Sequence, residues 1–244
     1  MRKLLDTTNS NTKIKKTQNN ADNIRVASLS LMPDIIICPS CQIADCLHLC
    51  LKDSGLGKVY PSVANARQAK TDYWHNNKAQ FIEQLTREIS NFQKLCTKQN
   101  KRPFIRLNTL SDIQWEKHGI PQLFPKTNFL DYTKLAKRLG NTPSNYRLIF
   151  SYSRARAYQK QVDLALQTDA PIAVVFTELP IGNKWSGYTF LGRPIINGDK
   201  SDLINLNAGP VIVGLKYKRT NADADTIKQS DFVIDPNIIP ARIA

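Results

Sequence analysis

This chain has little acid, few histidines and no long apolar run. Its 244 residues include 34 Lys and Arg but only 20 Asp and Glu, so the formal net charge is +14. Only three histidines are present. A GxSxG motif and a combination of Ser, His and Asp suited to catalysis are both missing, which argues against hydrolysis by an activated serine.

The sequence also lacks the segments that direct a protein into or across a membrane. No run approaches the ~20 apolar residues of a membrane-spanning helix. The first twenty residues are basic and polar, without the apolar core of a secretory signal: MRKLLDTTNSNTKIKKTQNN. We therefore expect a cytoplasmic protein whose thiols stay reduced, and a disulfide framework is disfavoured.

A glycine-containing loop at residues 51–61 does not match a phosphate-binding P-loop. That motif would require Gly at the position of Lys52 and Ser or Thr at the position of Val59. Gly55 and Gly57 are therefore interpreted as turn residues.

The positive charge is concentrated in the first two thirds of the chain. Residues 1–161 contain 26 Lys and Arg against 11 Asp and Glu, whereas residues 162–244 contain 8 against 9. Such an excess attracts polyanions, of which nucleic acid is the commonest, and makes their binding sensitive to salt. A nucleic acid or nucleotide partner is the functional interpretation, and a soluble basic surface without a polymer ligand is the alternative.

Four of the five cysteines lie within thirteen positions, in CPSCQIADCLHLC at residues 38–50. Thiolates that converge in one loop are ligands for zinc or for an iron-sulfur cluster. We therefore predict a metal site made by Cys38, Cys41, Cys46 and Cys50, with His48 as a spare ligand. Buried or redox-active free cysteines are the alternative. The fifth, Cys96, is predicted to be a small buried hydrophobe on a helix.

The pattern of apolar residues predicts an α/β fold. A helical stretch covers about 62–100, with a break near Asn76 and Asn77 and an apolar stripe at Phe81, Leu85, Ile89, Phe92 and Leu95. Eight short apolar runs predict strands at 24–31, 103–108, 128–133, 146–151, 171–178, 194–198, 210–216 and 231–235. We expect a flexible tail at 1–23 and, over 24–244, a single (β/α) barrel or partial barrel of about eight mostly parallel strands. An open doubly wound sheet is the alternative.

In a parallel barrel, catalytic residues gather at the carboxyl ends of the strands. Four polar residues at those positions are our catalytic candidates: Asp112, Asp131, Lys134 and Asp199. Asp112 is the preferred acid or base, and helix capping is its structural alternative. Asp131 and Lys134 could orient a substrate or form a surface ion pair, and Asp199 has the look of a turn residue.

Several segments from about residue 24 to the end form a recognisable set: SLSLMP, the cysteine loop, VANARQAKT, RLNTLSDIQWE, FLDYTK, NYRLIFSYSR, AVVF, INGDKSD and VGLKYK. Together they resemble an uncharacterised phage- and plasmid-borne family of the gene product 88 type. The resemblance implies a mobile-element origin, and hence a bacterial host cell, without an agreed activity. A looser likeness to radical S-adenosylmethionine enzymes, which carry an iron-sulfur cluster after the first barrel strand, would add S-adenosylmethionine as a cofactor. Their usual C-x3-C-x2-C triplet does not occur here.

Two functions are consistent with these features. In the first, a mobile-element metalloenzyme uses an iron-sulfur cluster or zinc to modify a nucleotide or nucleic acid. In the second, a replication or regulatory protein without catalytic activity binds nucleic acid, and its cysteine loop is a structural zinc knuckle.

Overall fold

Nine strands form one mostly parallel sheet in the computed structural model, which describes residues 3–7, 12–19, 23–54, 58–178, 187–206, 208–218, 220 and 222–238. The strands are β1 (Ile24–Ser28), β2 (Arg102–Arg106), β3 (Asn128–Thr133), β4 (Tyr146–Ser151), β5 (Ile172–Phe176), β6 (Thr189–Phe190), β7 (Arg193–Asn197), β8 (Ile212–Lys216) and β9 (Val233–Ile234). All eight predicted strands are present, and β6 is an addition.

Seven helices with bounds inside the described ranges accompany the sheet: α1 (Thr12–Asn19), α2 (Pro61–Asn76), α3 (Lys78–Lys98), α4 (Ile120–Leu123), α5 (Gln159–Leu166), α6 (Asp202–Leu206) and α7 (Ala224–Gln229). Short 3-10 helices cover Leu51–Asp53, Trp115–His118, Ala136–Arg138, Arg156–Tyr158 and Pro236–Ile238. The predicted break between α2 and α3 is confirmed at Asn77. No helix in the described part of the chain is long and apolar enough to cross a membrane.

The strand order is β1-β2-β3-β4-β5-β8-β7-β6, and among the pairings of these nine described strands only that of β6 with β7 is antiparallel. The sheet also forks at β5. Its first half pairs with β4, where Phe150 lies opposite Ile172, and its second half pairs with β9, where Val175 lies opposite Val233. Strand β9 therefore pairs with the half of β5 that does not pair with β4.

The sheet is open among the described strands, so the predicted barrel or partial barrel is not confirmed. After β5 the order reverses, and the chain turns back at β6 instead of pairing a last strand with β1. The outer edge of β1 is covered by a side chain, since the Gln18 amide donates to the Ile24 carbonyl and accepts from the Val26 amide. Asp6 pairs with Ser28 at the other end of that edge. These contacts satisfy the backbone groups that a closing strand would have used.

The two faces of the sheet bury two groups of apolar residues. Consecutive parallel strands joined by right-handed crossovers place their connections on one face. Most of the predicted apolar stripe of α3 packs on that face, because Phe81, Leu85, Ile89 and Phe92 are buried, whereas Leu95 is partly exposed. The opposite face buries a smaller group that includes Phe104, Leu130, Ile149 and Val213, with Ile14 of α1 against it. Cys96 is fully buried, as predicted.

The described parts of the segment 1–23 are packed, which corrects the expectation of a flexible tail there. Leu4, Leu5 and Ile14 are almost fully buried. The Glu88 carboxylate on α3 accepts hydrogen bonds from the amides of Leu4 and Leu5 at 3.0 and 2.8 Å. A few aliphatic side chains in a polar segment are enough to hold it against the domain, because each buries a large apolar area.

Candidate functional site

The cysteine loop lies against the segment that follows β2, at the carboxyl edge of the sheet. The Asp112 amide donates to the Ile37 carbonyl at 2.7 Å, and the Cys38 thiol donates to the Leu110 carbonyl at 3.5 Å. The loop therefore sits beside the polar strand ends, as the sequence predicts.

The turn that leads into the loop has a fixed conformation. The Asp34 carboxylate accepts from the amides of Ile36 and Ile37, and its other oxygen lies 2.7 Å from Nε2 of His75 on α2. In this turn Ile36 has 69 % of its surface exposed, whereas Ile37 beside it has 2 % exposed.

None of the four loop cysteines forms a disulfide within the described residues, and the charges of the other three act on Cys38. Burial is the main cause that raises the pKa of Cys38, and the charges of Asp112, Cys50, Cys46 and Cys41 raise it further. A bound cation would relieve this repulsion, so the chemistry of the donors suits a soft metal ion.

The positions of these donors do not match a metal site. Within the residues that the structure describes, no group of three or more His, Cys, Asp and Glu side chains is placed to hold a metal ion. A metal site at Cys38, Cys41, Cys46 and Cys50 therefore stays a prediction, and metal binding would require the loop to rearrange.

Asp112 is buried in an ion cluster next to the loop. Arg138 donates to one of its oxygens at 2.5 Å, and the Lys134 amide and Thr133 hydroxyl donate to the other at 2.8 and 3.2 Å. Burial raises the pKa of Asp112 to about 6, and the charge of Arg138 acts in the opposite direction. Arg138 also donates to both oxygens of Glu116. Asp112 therefore connects the segment after β2 to the 3-10 helix Ala136–Arg138 and does not cap a helix.

Asp131 lies deeper, on β3, and is 0 % exposed. Its carboxylate accepts from the Asn108 amide at 2.8 Å and from the Tyr146 hydroxyl at 3.0 Å. Burial raises its pKa to about 7. The Asn108 side chain in turn accepts from Trp115 Nε1 at 3.1 Å. These contacts give Asp131 a role in positioning the loop after β2.

Lys134 contacts the end of β4 and the residue that precedes β9. Its ammonium donates to the Ser151 hydroxyl at 3.0 Å and lies 4.5 Å from the ring centroid of Phe232. Its charge also lowers the pKa of Cys41, although burial raises that pKa more. Lys134 is half-buried, in contrast to Asp112 and Asp131.

Asp199 follows β7, on the other half of the sheet. It accepts from the Lys218 ammonium at 3.0 Å and from the Lys216 amide at 2.8 Å. The structure therefore brings Asp112 and Lys134 into direct contact and places Asp131 in the neighbouring hydrogen-bond network, whereas Asp199 contacts β8.

Basic side chains follow the carboxyl ends of four parallel strands. We call them the carboxyl-edge basic group: Lys134, Arg154, Arg156, Lys200, Lys216 and Lys218. All are exposed except the half-buried Lys134. Arg154 and Lys218 each pair with one aspartate, Asp231 and Asp199. The six cations of this group outnumber the two aspartates that pair with them.

A small pocket of about 230 Å³ adjoins the cysteine loop. It is lined by Asp45, His48, Leu49, Thr226, Gln229 and Ser230. Sequence reasoning missed this pocket and the Arg138 cluster. Both join segments far apart in the chain, and no local pattern marks such pairs.

The chain matches the family described as Gene product 88 over residues 3–235, and it belongs to that family. No curated protein and no solved structure matches it significantly. The looser likeness to radical S-adenosylmethionine enzymes receives no support from these comparisons.

Proposed function

We propose that this member of the gene product 88 family binds a nucleotide or nucleic acid at the carboxyl edge of its sheet, beside the cysteine loop. The observation that carries the proposal is the carboxyl-edge basic group. In open α/β sheets, ligands bind outside the carboxyl ends of the strands. Several cations there, on a chain of net charge +14, favour a phosphate-rich ligand.

Fluorescence anisotropy with labelled single- and double-stranded DNA and RNA oligonucleotides tests this proposal. Affinity should fall steeply between about 50 and 200 mM salt, because phosphate binding releases counterions. The double variant with Arg156→Glu and Lys216→Glu should bind oligonucleotides at least about tenfold more weakly.

The matched control is Lys94→Glu together with Lys98→Glu, which makes the same change in net charge on α3. If both pairs of substitutions weaken binding equally, the charge acts through the whole molecule and the proposed position is wrong. If no oligonucleotide binds at low salt, the proposed function is wrong.

A second proposal extends the first: the cysteine loop binds zinc or an iron-sulfur cluster, and the protein modifies its nucleotide or nucleic acid ligand. The presence of four cysteines within residues 38–50 supports it, because soft thiolate ligands select such metals. Such a group would supply Lewis-acid or redox chemistry, with Asp112, Asp131, Lys134 and Asp199 as the proposed catalytic residues. Among these, Lys134 and Asp199 are the partly exposed ones and could contact a ligand directly.

Protein purified without oxygen should be assayed for iron, sulfide and zinc. We expect one of these metals in fixed ratio to protein, and its loss in a Cys38→Ser and Cys41→Ser double variant. Cys96→Ser is the control, since Cys96 is buried on α3 outside the loop. Protein without metal in both forms would contradict the metal proposal and leave the nucleic acid proposal standing.

A further inference from the structure

The pocket beside the cysteine loop joins the basic edge to the end of the chain. Asp45, His48 and Leu49 form its loop side, and Thr226 and Gln229 of α7 form the other side together with Ser230. The loop side is fixed by Asp45, whose carboxylate accepts from the Asp231 amide at 3.0 Å. Asp45 also has φ of 49°, a left-handed conformation that costs energy in a residue other than glycine.

The size and lining of the pocket suit a small, flat, polar group. Its volume of about 230 Å³ is below the roughly 300–1,000 Å³ typical of pockets that hold a whole drug-sized ligand. The Gln229 amide, the Thr226 hydroxyl and the His48 ring can donate and accept hydrogen bonds, and Asp45 accepts them. Leu49 adds one apolar contact. A nucleobase needs both hydrogen bonds at its edge and contact with its faces.

An arginine lies directly beside this pocket. Arg154 Nη2 donates to the Ser230 carbonyl at 3.0 Å, and its Nε donates to Asp231 at 3.0 Å. Its side chain is still 39 % exposed. The two hydrogen bonds fix the guanidinium at the border of the pocket, where it can contact a phosphate joined to a bound base.

We propose that this pocket takes one unpaired base of a single-stranded nucleic acid, with the adjoining phosphate against Arg154. This inference rests on the proposed function and specifies its ligand. A base in a duplex is stacked and paired, so its edge cannot enter a pocket of this kind. The protein therefore prefers single strands, and the pocket discriminates among bases.

Dissociation constants for labelled single-stranded homopolymers of dA, dC and dT and for a mixed-sequence duplex, at one salt concentration, test this inference. We expect weaker binding of the duplex and unequal binding of the three homopolymers. Gln229→Ala should weaken binding of the preferred homopolymer by about tenfold, on the scale of one lost hydrogen-bonded contact to a base edge, and should reduce the differences among the three.

Thr226→Val is a second variant with nearly the same side-chain volume. It keeps the hydrogen bond from the Thr226 amide to the Asp223 carboxylate but loses the one that the Thr226 side chain makes with Asp223. Gln159→Ala, on the exposed surface of α5, is the control and should bind like the unaltered protein. Thermal unfolding monitored by circular dichroism confirms that each variant is folded.

The outcomes separate this inference from the proposed function. Equal binding of duplex and homopolymers, or unchanged dissociation constants in both pocket variants, would overturn the base pocket. The carboxyl-edge proposal would still stand if the Arg156→Glu and Lys216→Glu variant lost binding in the same experiment. Absence of all oligonucleotide binding would overturn both.

Discussion

Replacing Asp131→Asn should stabilise the protein at neutral pH, although Asp131 lies in the centre of a hydrogen-bond network. The substitution keeps the size of the side chain and its Oδ1, which accepts from the Asn108 amide. The new amide group cannot accept from the Tyr146 hydroxyl, whose oxygen already accepts from Arg138 Nη2 at 3.3 Å and Asn108 Nδ2 at 3.4 Å, so the variant loses this one hydrogen bond, worth about 1 kcal/mol. The variant therefore removes a buried charge and leaves the packing almost unchanged.

The magnitude follows from the pKa of Asp131. Burial raises it from 3.8 to about 7 in the folded protein. A carboxyl group with a raised folded-state pKa stabilises the fold while it is protonated, and this contribution is lost as pH rises from about 4 to about 7. At about 1.4 kcal/mol per pKa unit, the loss reaches up to about 4 kcal/mol above pH 7. The amide side chain of the variant cannot ionise, so the variant does not lose this contribution.

Urea unfolding of both proteins between pH 4 and pH 8 measures the effect. The difference between their free energies of unfolding cancels the contributions of the other carboxyl groups, which the two proteins share. The variant should be slightly less stable than the parent at pH 4 because of the lost hydrogen bond, and its stability relative to the parent should rise by up to about 4 kcal/mol by pH 8. Asp163→Asn on the exposed face of α5 serves as the control and should show no such growth. A variant that is less stable than the parent at pH 8 would refute the reasoning.

Two further predictions concern stability. Ile37→Ala should cost about 2–5 kcal/mol of unfolding free energy because Ile37 is buried, whereas Ile36→Ala beside it should change that energy by less than about 0.5 kcal/mol. Chemical denaturation measures both, and equal costs would show that the turn is not held as described. Glu88→Ala should cost about 1–3 kcal/mol and speed hydrogen exchange at the amides of Leu4 and Leu5, which donate to its carboxylate. Unchanged exchange would contradict that anchoring role.

The sequence predicts most strands because a buried parallel strand is a short, nearly continuous apolar run. The predicted ranges 128–133 and 146–151 coincide with β3 and β4. The two-residue β6 is too short to form such a run. The reversal of strand order after β5 depends on contacts between distant segments, so local apolar patterns predict the strands but not the closure of the sheet.

The position of the candidate site was predictable from the sequence, but most of its side-chain contacts were not. Asp112, Lys134 and the cysteine loop meet at the strand ends, as the parallel arrangement requires. The partner of Asp112 was not predictable, because Arg138 lies in TKLAKRLG, a stretch with helical composition that forms only the 3-10 helix Ala136–Arg138. The pocket depends on residues 45–49 meeting residues 226–230, and residues so far apart share no periodicity.

The fork in the sheet has a consequence for the order in which the protein is completed during synthesis. A chain is synthesised amino terminus first, at about 5–20 residues per second. Strands β1 to β5 can therefore pair before β9 has been made. The pocket is joined to the cysteine loop by Ser230 and the Asp231 amide. Both residues are synthesised well after β5. We expect the main core to form before the pocket. A chain shortened before residue 230 should therefore expose the second half of β5, where Val175 and Phe176 would lack β9 and could pair with another molecule.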